Sequence, residues 1–301
     1  MPFESATAWQ RARSLHHSRY DAASLRAREH TASVCLPARN CAATVGPIVA
    51  ALVELRDQGL IDQVVVIDGD SEDQTARIAA EAGAAVFNEA ELMPGHGPVL
   101  GKGDAMWRAL SVLDGELLCF LDADLEQFPA HYVTGLLGPL IEFEQVDFVK
   151  AFYRRAFRVG ELTLADGGGR VNHLLARPAL AVFYPQLAAV QQPLAGEIAA
   201  RRTLLERLPF TTGYGVEIAM LLDVLAAVGL EGMAQVDLDV HHNQHQPLLA
   251  LSAMAYEVLL VIATRLEREG RLFELDPSPL LTGDEALASS FAERPPILSL
   301  R

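Results

Sequence analysis

The chain reads as an α/β protein built on a doubly wound, mostly parallel sheet. Two observations predict this. From about residue 31 to residue 152, apolar runs of strand length alternate with helix-length segments, the rhythm of repeated β-α units. The run Glu116-Leu-Leu-Cys-Phe-Leu-Asp-Ala-Asp-Leu125 then stops on two carboxylates, Asp122 and Asp124, spaced i, i+2. A buried parallel strand ending this way puts both at the carboxyl edge of the sheet, where open α/β folds bind ligands.

The elements follow in order. Residues 1–30 carry Arg11, Arg13 and Arg19 but also Glu4, Asp21 and Glu29, with no apolar core, so a helical N-terminal arm is expected rather than a targeting peptide. Ser33 to Leu36 is a strand, Thr44 to Leu55 a helix and Val64 to Ile67 a second strand. The turn Asp68-Gly-Asp-Ser-Glu-Asp-Gln-Thr75 opens a helix over Gln74 to Ala82, with Ser71 as N-cap and Asp73 in the first turn. Ala85 to Phe87 is a short strand. A Gly/Pro-bearing loop, Met93 to Gly103, leads into a helix through Leu113. Leu117 to Leu121 is a strand, Pro129 to Ile141 a helix and Asp147 to Phe152 a strand.

Beyond Phe152 the rhythm changes. A glycine-rich stretch, Asp166-Gly-Gly-Gly-Arg170, precedes a helix with Arg177-Pro178 near its end. The segment Gln191 to Glu197 leads into a further helix, and Gly213-Tyr-Gly-Val-Glu217 opens one that runs to Val228. The strand Ala234 to Val240, the polar cluster His241 to Gln246 and a helix from about Leu249 to Glu269 complete the pattern. The expected organisation is a 1–30 arm, a nucleotide-binding half over 31–152, an acceptor-binding half over 153–275 and a 276–301 tail. The tail is expected to be peripheral or to pack on a partner subunit.

Composition narrows the function. With 301 residues, half of them hydrophobic, the chain can build a large core. A net charge of -15 argues against a nucleic-acid or anionic-membrane surface. Cys35, Cys41 and Cys119 lack metal-like spacing and suit reduced residues of a cytoplasmic protein. The longest apolar stretch, Ala250 to Thr264, is interrupted by Glu257 and reads as an amphipathic helix rather than a membrane span.

The strand-end pair carries the chemistry. Two hard oxygen ligands suit a divalent cation that keeps phosphate oxygens in its remaining positions, the arrangement of a nucleotide-sugar-dependent transferase. Two other Asp-x-Asp triplets are set apart by context. Asp68-Gly-Asp70 opens a turn, and Asp237-Leu-Asp239 lies within the alternating pattern Val236, Leu238, Val240. Lys102, in Gly101-Lys-Gly-Asp104 at a helix N-terminus, is placed for an anion such as a diphosphate. Gly167-Gly-Gly-Arg170 joins free backbone N–H groups to a guanidinium, a cradle for a phosphate or carboxylate. His241, His242 and His245, beside Asn243, are candidates for a metal ligand or a phosphate contact. Glu217 is a candidate for sugar hydroxyls or for a helix cap.

In this order the motifs Leu36-Pro-Ala-Arg-Asn40, Ile67-Asp-Gly-Asp70, Gly101-Lys-Gly-Asp104, Phe120-Leu-Asp-Ala-Asp124, Tyr153-Arg-Arg155, Gly167-Gly-Gly-Arg170, Gln192-Pro-Leu-Ala-Gly-Glu197 and Gly213-Tyr-Gly-Val-Glu217 resemble one family over residues 31 to 260. It is that of the glucosyl-3-phosphoglycerate and mannosyl-3-phosphoglycerate synthases, retaining glycosyltransferases of the GT-A fold. The resemblance implies hexose transfer from a nucleotide sugar to the 2-hydroxyl of 3-phosphoglycerate, with Mg²⁺ or Mn²⁺ and a homodimeric enzyme. It implies donor binding by Pro37, Ala38, Arg39, Asp68, Gly69, Lys102, Asp122, Ala123 and Tyr214. Acceptor binding falls to Gly168, Gly169, Arg170 and Asn172, and catalysis to Asp124, Lys102 and Glu217. The metal ligands implied are Asp124 with His242 and Asn243, although His241 and His245 stand beside them as alternatives.

The chain departs from the family pattern in three places. Asn40-Cys41-Ala42 replaces Asn-Glu-Glu, Gly69 replaces a serine, and Asn243 stands at the metal histidine. Two departures touch the nucleoside pocket, so GDP-mannose is expected ahead of UDP-glucose. Competing readings are a GT-A transferase for another small acceptor or for a polyprenyl phosphate, a sugar-nucleotide nucleotidyltransferase, and a non-catalytic sensor. The first strand lacks the glycine-rich basic signature of a nucleotidyltransferase, and the Gly167–Arg170 cradle weighs against a sensor.

Overall fold

The computed structural model describes residues 3–26, 28–155, 157–159, 162–164, 168–241, 248–272, 280–282, 285–287 and 291–300. Eight strands form the main sheet: β1 (Ser14–His16), β2 (Ala32–Ala38), β3 (Gln63–Asp68), β4 (Ala85–Asn88), β5 (Leu117–Phe120), β6 (Phe148–Arg155), β7 (Ile198–Arg201) and β8 (Met233–His241), in the order β1-β8-β6-β7-β5-β2-β3-β4. Every neighbouring pair is parallel except those of β7, which runs antiparallel to both β5 and β6.

The expected alternation is present and both faces are covered. Along β3, Val64 and Val66 enter one core while Val65 and Ile67 enter the other, as a strand with period two and two buried faces requires. Helices α2 (Val45–Asp57), α3 (Thr75–Glu81) and α5 (His131–Glu142) supply the core that holds Val64. Helices α4 (Lys102–Ala109), α6 (Val216–Val228) and α7 (Leu248–Arg268) supply the other.

Several expectations change. The N-terminal segment holds helices, Ala6–Arg13 (α1) and Ala22–Arg26, but also an unexpected strand between them: β1 pairs with Gln235–Asp237 at the edge of the sheet. Small residues in α5 admit it, because a Cβ on Gly138 would collide with the Tyr20 ring and one on Gly135 would lie 3.0 Å from the His17 Cβ. The segment after Glu197 is not first a helix but β7, whose Ile198, Ala199 and Ala200 are buried between two strands; only Arg202–Leu205 is helical. Small and β-branched residues fit that slot, and tertiary burial overrides the helical propensity of the alanines.

Arg177-Pro178 lies in the middle, not near the end, of a continuous helical run over 170–183, directly after the π-helical turn Asn172–Ala176. Ser71 does not cap α3: its Oγ accepts the Asn40 N–H, and Asp73 Oδ1 accepts that of Thr75. Helix α7, at 21 residues, is long and apolar enough to cross a membrane by length and composition, unlike the shorter stretch expected. In the fold its Val258, Val261, Ile262 and Leu266 are buried in the core shared with α6, and Arg265 pairs with Asp223.

The tail also packs on its own chain. Glu293 and Arg294 pair with Phe210 and Thr211, and Ile297 is buried. Arg294 reaches Asp104, a fully buried carboxylate that also holds Arg108 at 3.2 Å. Removing one member of a buried ion network leaves the others uncompensated. Asp104→Ala is therefore expected to destabilise the fold by about 3 kcal/mol, read as a drop in the urea midpoint, whereas a loss within error would show the tail contact to be dispensable.

Candidate active site

The site lies along the carboxyl ends of β2, β3, β5 and β6. Asp122 and Asp124 follow β5 directly, Pro37 and Ala38 end β2, Asp68 ends β3, and Arg155 ends β6. Lys102 is the first residue of α4 and Glu217 lies in the first turn of α6. Backbone approach joins these two helix starts: the Gly213 N–H donates to the Leu100 carbonyl at 3.1 Å, and both Gly101 and Gly213 hold positive φ.

Lys102 is the hub. Its Nζ lies 2.6 Å from Asp122 Oδ1 and 3.0 Å from Glu217 Oε1. Burial opposes the charge of Lys102, yet the two carboxylates hold its pKa above the ordinary lysine value. Burial would likewise raise Asp122, but Lys102 brings it below the usual range. Gly196 leaves room for this contact, since a Cβ there would come within 2.5 Å of both Asp122 Oδ2 and Lys102 Nζ. Lys150 fixes the turn by donating to the Ala195 carbonyl at 2.8 Å.

Asp124 is exposed toward the cleft on one side and surrounded by protein on the others. That environment, with the Asp122 charge two residues away, pushes its pKa up. Lys102 pairs with Asp122 and leaves Asp124 poorly compensated. A hard divalent cation on Asp124 relieves the repulsion, so these oxygen donors fit Mg²⁺ or Mn²⁺. The other expected ligands, His242 and Asn243, lie outside the described residues, as do His245 and Gly167. His241 is described: its ring is buried and stacked 4.2 Å from that of Tyr153.

The cleft has two lobes that share Lys102, Asp122, Asp124 and Tyr214. One, of about 500 Å³, is lined by the expected donor residues Pro37, Ala38, Arg39, Gly69 and Ala123, and also by Cys41 and Glu89. Asp68 is not on its wall; it is buried and accepts the Ser71 N–H. The other lobe, of about 230 Å³, is lined by Gly169, Arg170 and Asn172 with Arg155 and Glu217. Gly168 is set back from it, packed on Arg155, and its N–H donates to the Arg155 carbonyl at 3.1 Å.

Three residues, Arg155, Glu197 and Glu89, were given no role from the sequence, although Arg155 and Glu197 lie in the motifs that carry the resemblance. Arg155 donates to the Tyr153 hydroxyl at 2.8 Å, and that hydroxyl donates to Glu197 Oε2 at 2.7 Å. Glu197 is wholly buried; burial and the Asp122 charge push its pKa up to about 7. Glu89 in the larger lobe is likewise pushed up to about 7, by burial. The available signal for Glu197 was a carboxylate set against the apolar run Ile198-Ala-Ala200, where solvent exposure is excluded.

The raised pKa of Glu197 makes stability pH-dependent. The unfolded chain releases this proton near pH 4.5, the folded chain near 7. The contribution is complete below about pH 4.5 and is lost as pH rises through 7. Glu197→Gln, which cannot ionise, is expected to gain on the parent by on the order of 3 kcal/mol between pH 4.5 and 8. Urea midpoints across that range check it, and a constant difference would rule out the buried titration.

Comparison with known proteins follows the same outline. The sequence pattern of Glycosyl transferase family 2 matches residues 33–181. The glucosyl-3-phosphoglycerate synthase of Petrotoga mobilis is 41% identical over 267 residues, 86% of this chain and 82% of its own. That of Mycolicibacterium smegmatis is 42% identical over 90% of each chain. The crystal structure of mannosyl-3-phosphoglycerate synthase from Rubrobacter xylanophilus superposes with a TM-score of 0.91 at 44% identity over all of both chains. That of the Mycobacterium tuberculosis glucosyl-3-phosphoglycerate synthase with Mn²⁺, uridine-diphosphate-glucose and phosphoglyceric acid gives 0.81 at 39% identity, over 93% of this chain and 94% of its own. Fold, cleft and sequence agree that the chain belongs to the family of glucosyl-3-phosphoglycerate and mannosyl-3-phosphoglycerate synthases, on a GT-A glycosyltransferase fold.

Proposed function

We propose that the protein is a metal-dependent retaining hexosyltransferase that moves a hexose from a nucleotide sugar to the 2-hydroxyl of 3-phosphoglycerate. The observation that carries this is the pair of lobes meeting at Lys102, Asp122 and Asp124. The larger has room for a nucleoside, and the smaller, with Arg155 and Arg170, suits a compact anion. The 31–152 half then holds most of the donor and the 153–275 half most of the acceptor.

The residues act through charge. A divalent ion held by Asp124, with a further ligand from His242 or Asn243, supplies Lewis-acid stabilisation to the departing diphosphate. Lys102 offers a fixed positive charge on the same side. Arg170, the Gly169 backbone and Asn172 hold the acid so that its hydroxyl faces the sugar. The bond from the anomeric carbon to the phosphate oxygen breaks, a bond to the acceptor oxygen forms on the same face, and the acceptor proton passes to the leaving phosphate. Glu217, engaged by Lys102, lines the acceptor lobe and is placed to orient sugar hydroxyls; as a nucleophile it would have to leave that ion pair.

For the donor we favour GDP-mannose, with UDP-glucose as second donor. Cys41 and Gly69 leave the base lobe with small side chains, and Glu89 offers a carboxyl that complements the adjacent N–H donors of guanine. The free cysteines suit a reducing cytoplasm. A homodimer accords with the exposed Leu174, Val182, Leu248 and Leu249, carried by elements that pack together.

Nucleotide release from GDP- and UDP-hexoses with 3-phosphoglycerate and Mg²⁺ tests the activity and the donor together. GDP as the stronger product inhibitor supports the guanine preference; strong inhibition by UDP with none by GDP reverses it. Gly196→Ala is expected to lower kcat by at least about 100-fold, because one methyl forces Lys102 away from Asp122; activity near that of the parent would detach this contact from catalysis. Arg170→Ala is expected to raise the acceptor KM far more than the donor KM, the loss of a charge-assisted contact costing about 1.5–3 kcal/mol. The opposite split in steady-state kinetics would move the glycine cradle to the donor side.

A further inference from the structure

Away from the cleft, at the edge where β1 meets β8, two imidazoles converge on one carboxylate. His16 Nε2 lies 3.3 Å from Asp239 Oδ1 and His17 Nε2 lies 2.7 Å from Asp239 Oδ2. The candidate donor atoms of the three residues all fall within 4.8 Å of one another. We propose that His16, His17 and Asp239 form a second metal site, for a transition ion of the zinc class, that clips β1 to β8.

The backbone is shaped for this convergence at both ends. Neighbouring residues of an extended strand face opposite sides. Here β1 ends at His16 and a tight helical turn begins at His17, so both rings reach the same carboxylate. On β8 the register against β6 slips between Asp237 and Val240, and Asp239 takes a φ of +68°, a left-handed conformation uncommon outside glycine. Such bulges re-aim a side chain, and strain of this kind persists only where surrounding contacts enforce it.

The donor chemistry selects the ion. Two imidazoles and one carboxylate are a ligand set of zinc-class ions, whereas Mg²⁺ prefers oxygen donors alone. Ligand atoms about 2.0–2.1 Å from a tetrahedral ion stand about 3.3 Å apart, the separation of His16 Nε2 from Asp239 Oδ1. Outer contacts are in place as well. The His17 ring stacks on His131 at 3.8 Å. His16 Nδ1 accepts the Ser18 N–H at 3.2 Å, which leaves the ring proton on Nε2 toward Asp239; binding an ion at Nε2 moves that proton to Nδ1, where Ser18 Oγ at 2.8 Å can accept it in place of the backbone contact. The side chains of His16 and Asp239 are 47% and 45% exposed, which leaves an entry path and open positions for water.

The full chain carrying Asp124→Asn, to weaken the catalytic ion site, is titrated with Co²⁺ and followed by visible absorption. One equivalent is expected to give the bands of a four- or five-coordinate ion and to be displaced by Zn²⁺. His16→Ala and Asp239→Asn, added singly to this background, are each expected to weaken binding by at least about 10-fold; half-exposed His16 can be truncated without disturbing the core. Zn²⁺ is expected to raise the melting temperature by a few degrees in the Asp124→Asn chain and not in the His16→Ala derivative. Absence of stoichiometric binding overturns the proposal. So does binding that survives both substitutions but is lost in His242→Ala, which would place the ion in segment 242–247.

Discussion

One ammonium group, on Lys102, stands between carboxylates drawn from two separate parts of the chain, and the cleft at the carboxyl edge of the sheet is organised around it. Asp122 arrives from the end of a parallel strand and Glu217 from the first turn of a helix more than ninety residues later. Burying such charges singly would be prohibitive; paired, Lys102 and Asp122 hold each other ionised. The arrangement tolerates no bulk at Gly196, and it leaves Asp124 with a pKa raised by burial and by the neighbouring Asp122 charge.

The strongly negative chain places its positive charge selectively. Lys102, Arg155 and Arg170 line the cleft, while Arg108, Arg265 and Arg294 serve buried pairs inside the fold. The cleft also carries Asp122, Asp124, Glu217 and Glu89, so its cations offset a strongly negative surround locally rather than reverse its sign. Local placement, rather than net charge, decides which anion is admitted.

Much of this was legible in the sequence because the parallel strands are short apolar runs that end on polar residues, a pattern set by burial on both faces. Val64 to Ile67 and Leu117 to Leu121 announce themselves in this way. The Asp122, Lys102 and Gly169–Arg170 motifs were likewise visible as local combinations of charge and glycine. What escaped was non-local. Ile198–Arg201 is a strand only because β5 and β6 leave a slot for it, and Ser14–His16 only because the glycines of α5 admit its neighbours. Glu197 acquires its character from Tyr153 and Asp122, which no spacing rule connects to it.

The contact between Asp104 and Arg294 bears on how the molecule is made. The two residues are separated by 190 positions, and Asp104 lies two residues beyond Lys102 on the same helical turn. During vectorial synthesis the helix start that carries Lys102 emerges long before the guanidinium that braces it. The nascent chain therefore holds an incompletely braced centre through most of its elongation. Full bracing of that turn awaits the distal segment, so a nascent chain that has already completed the sheet at His241 still lacks one of the two guanidinium partners of Asp104.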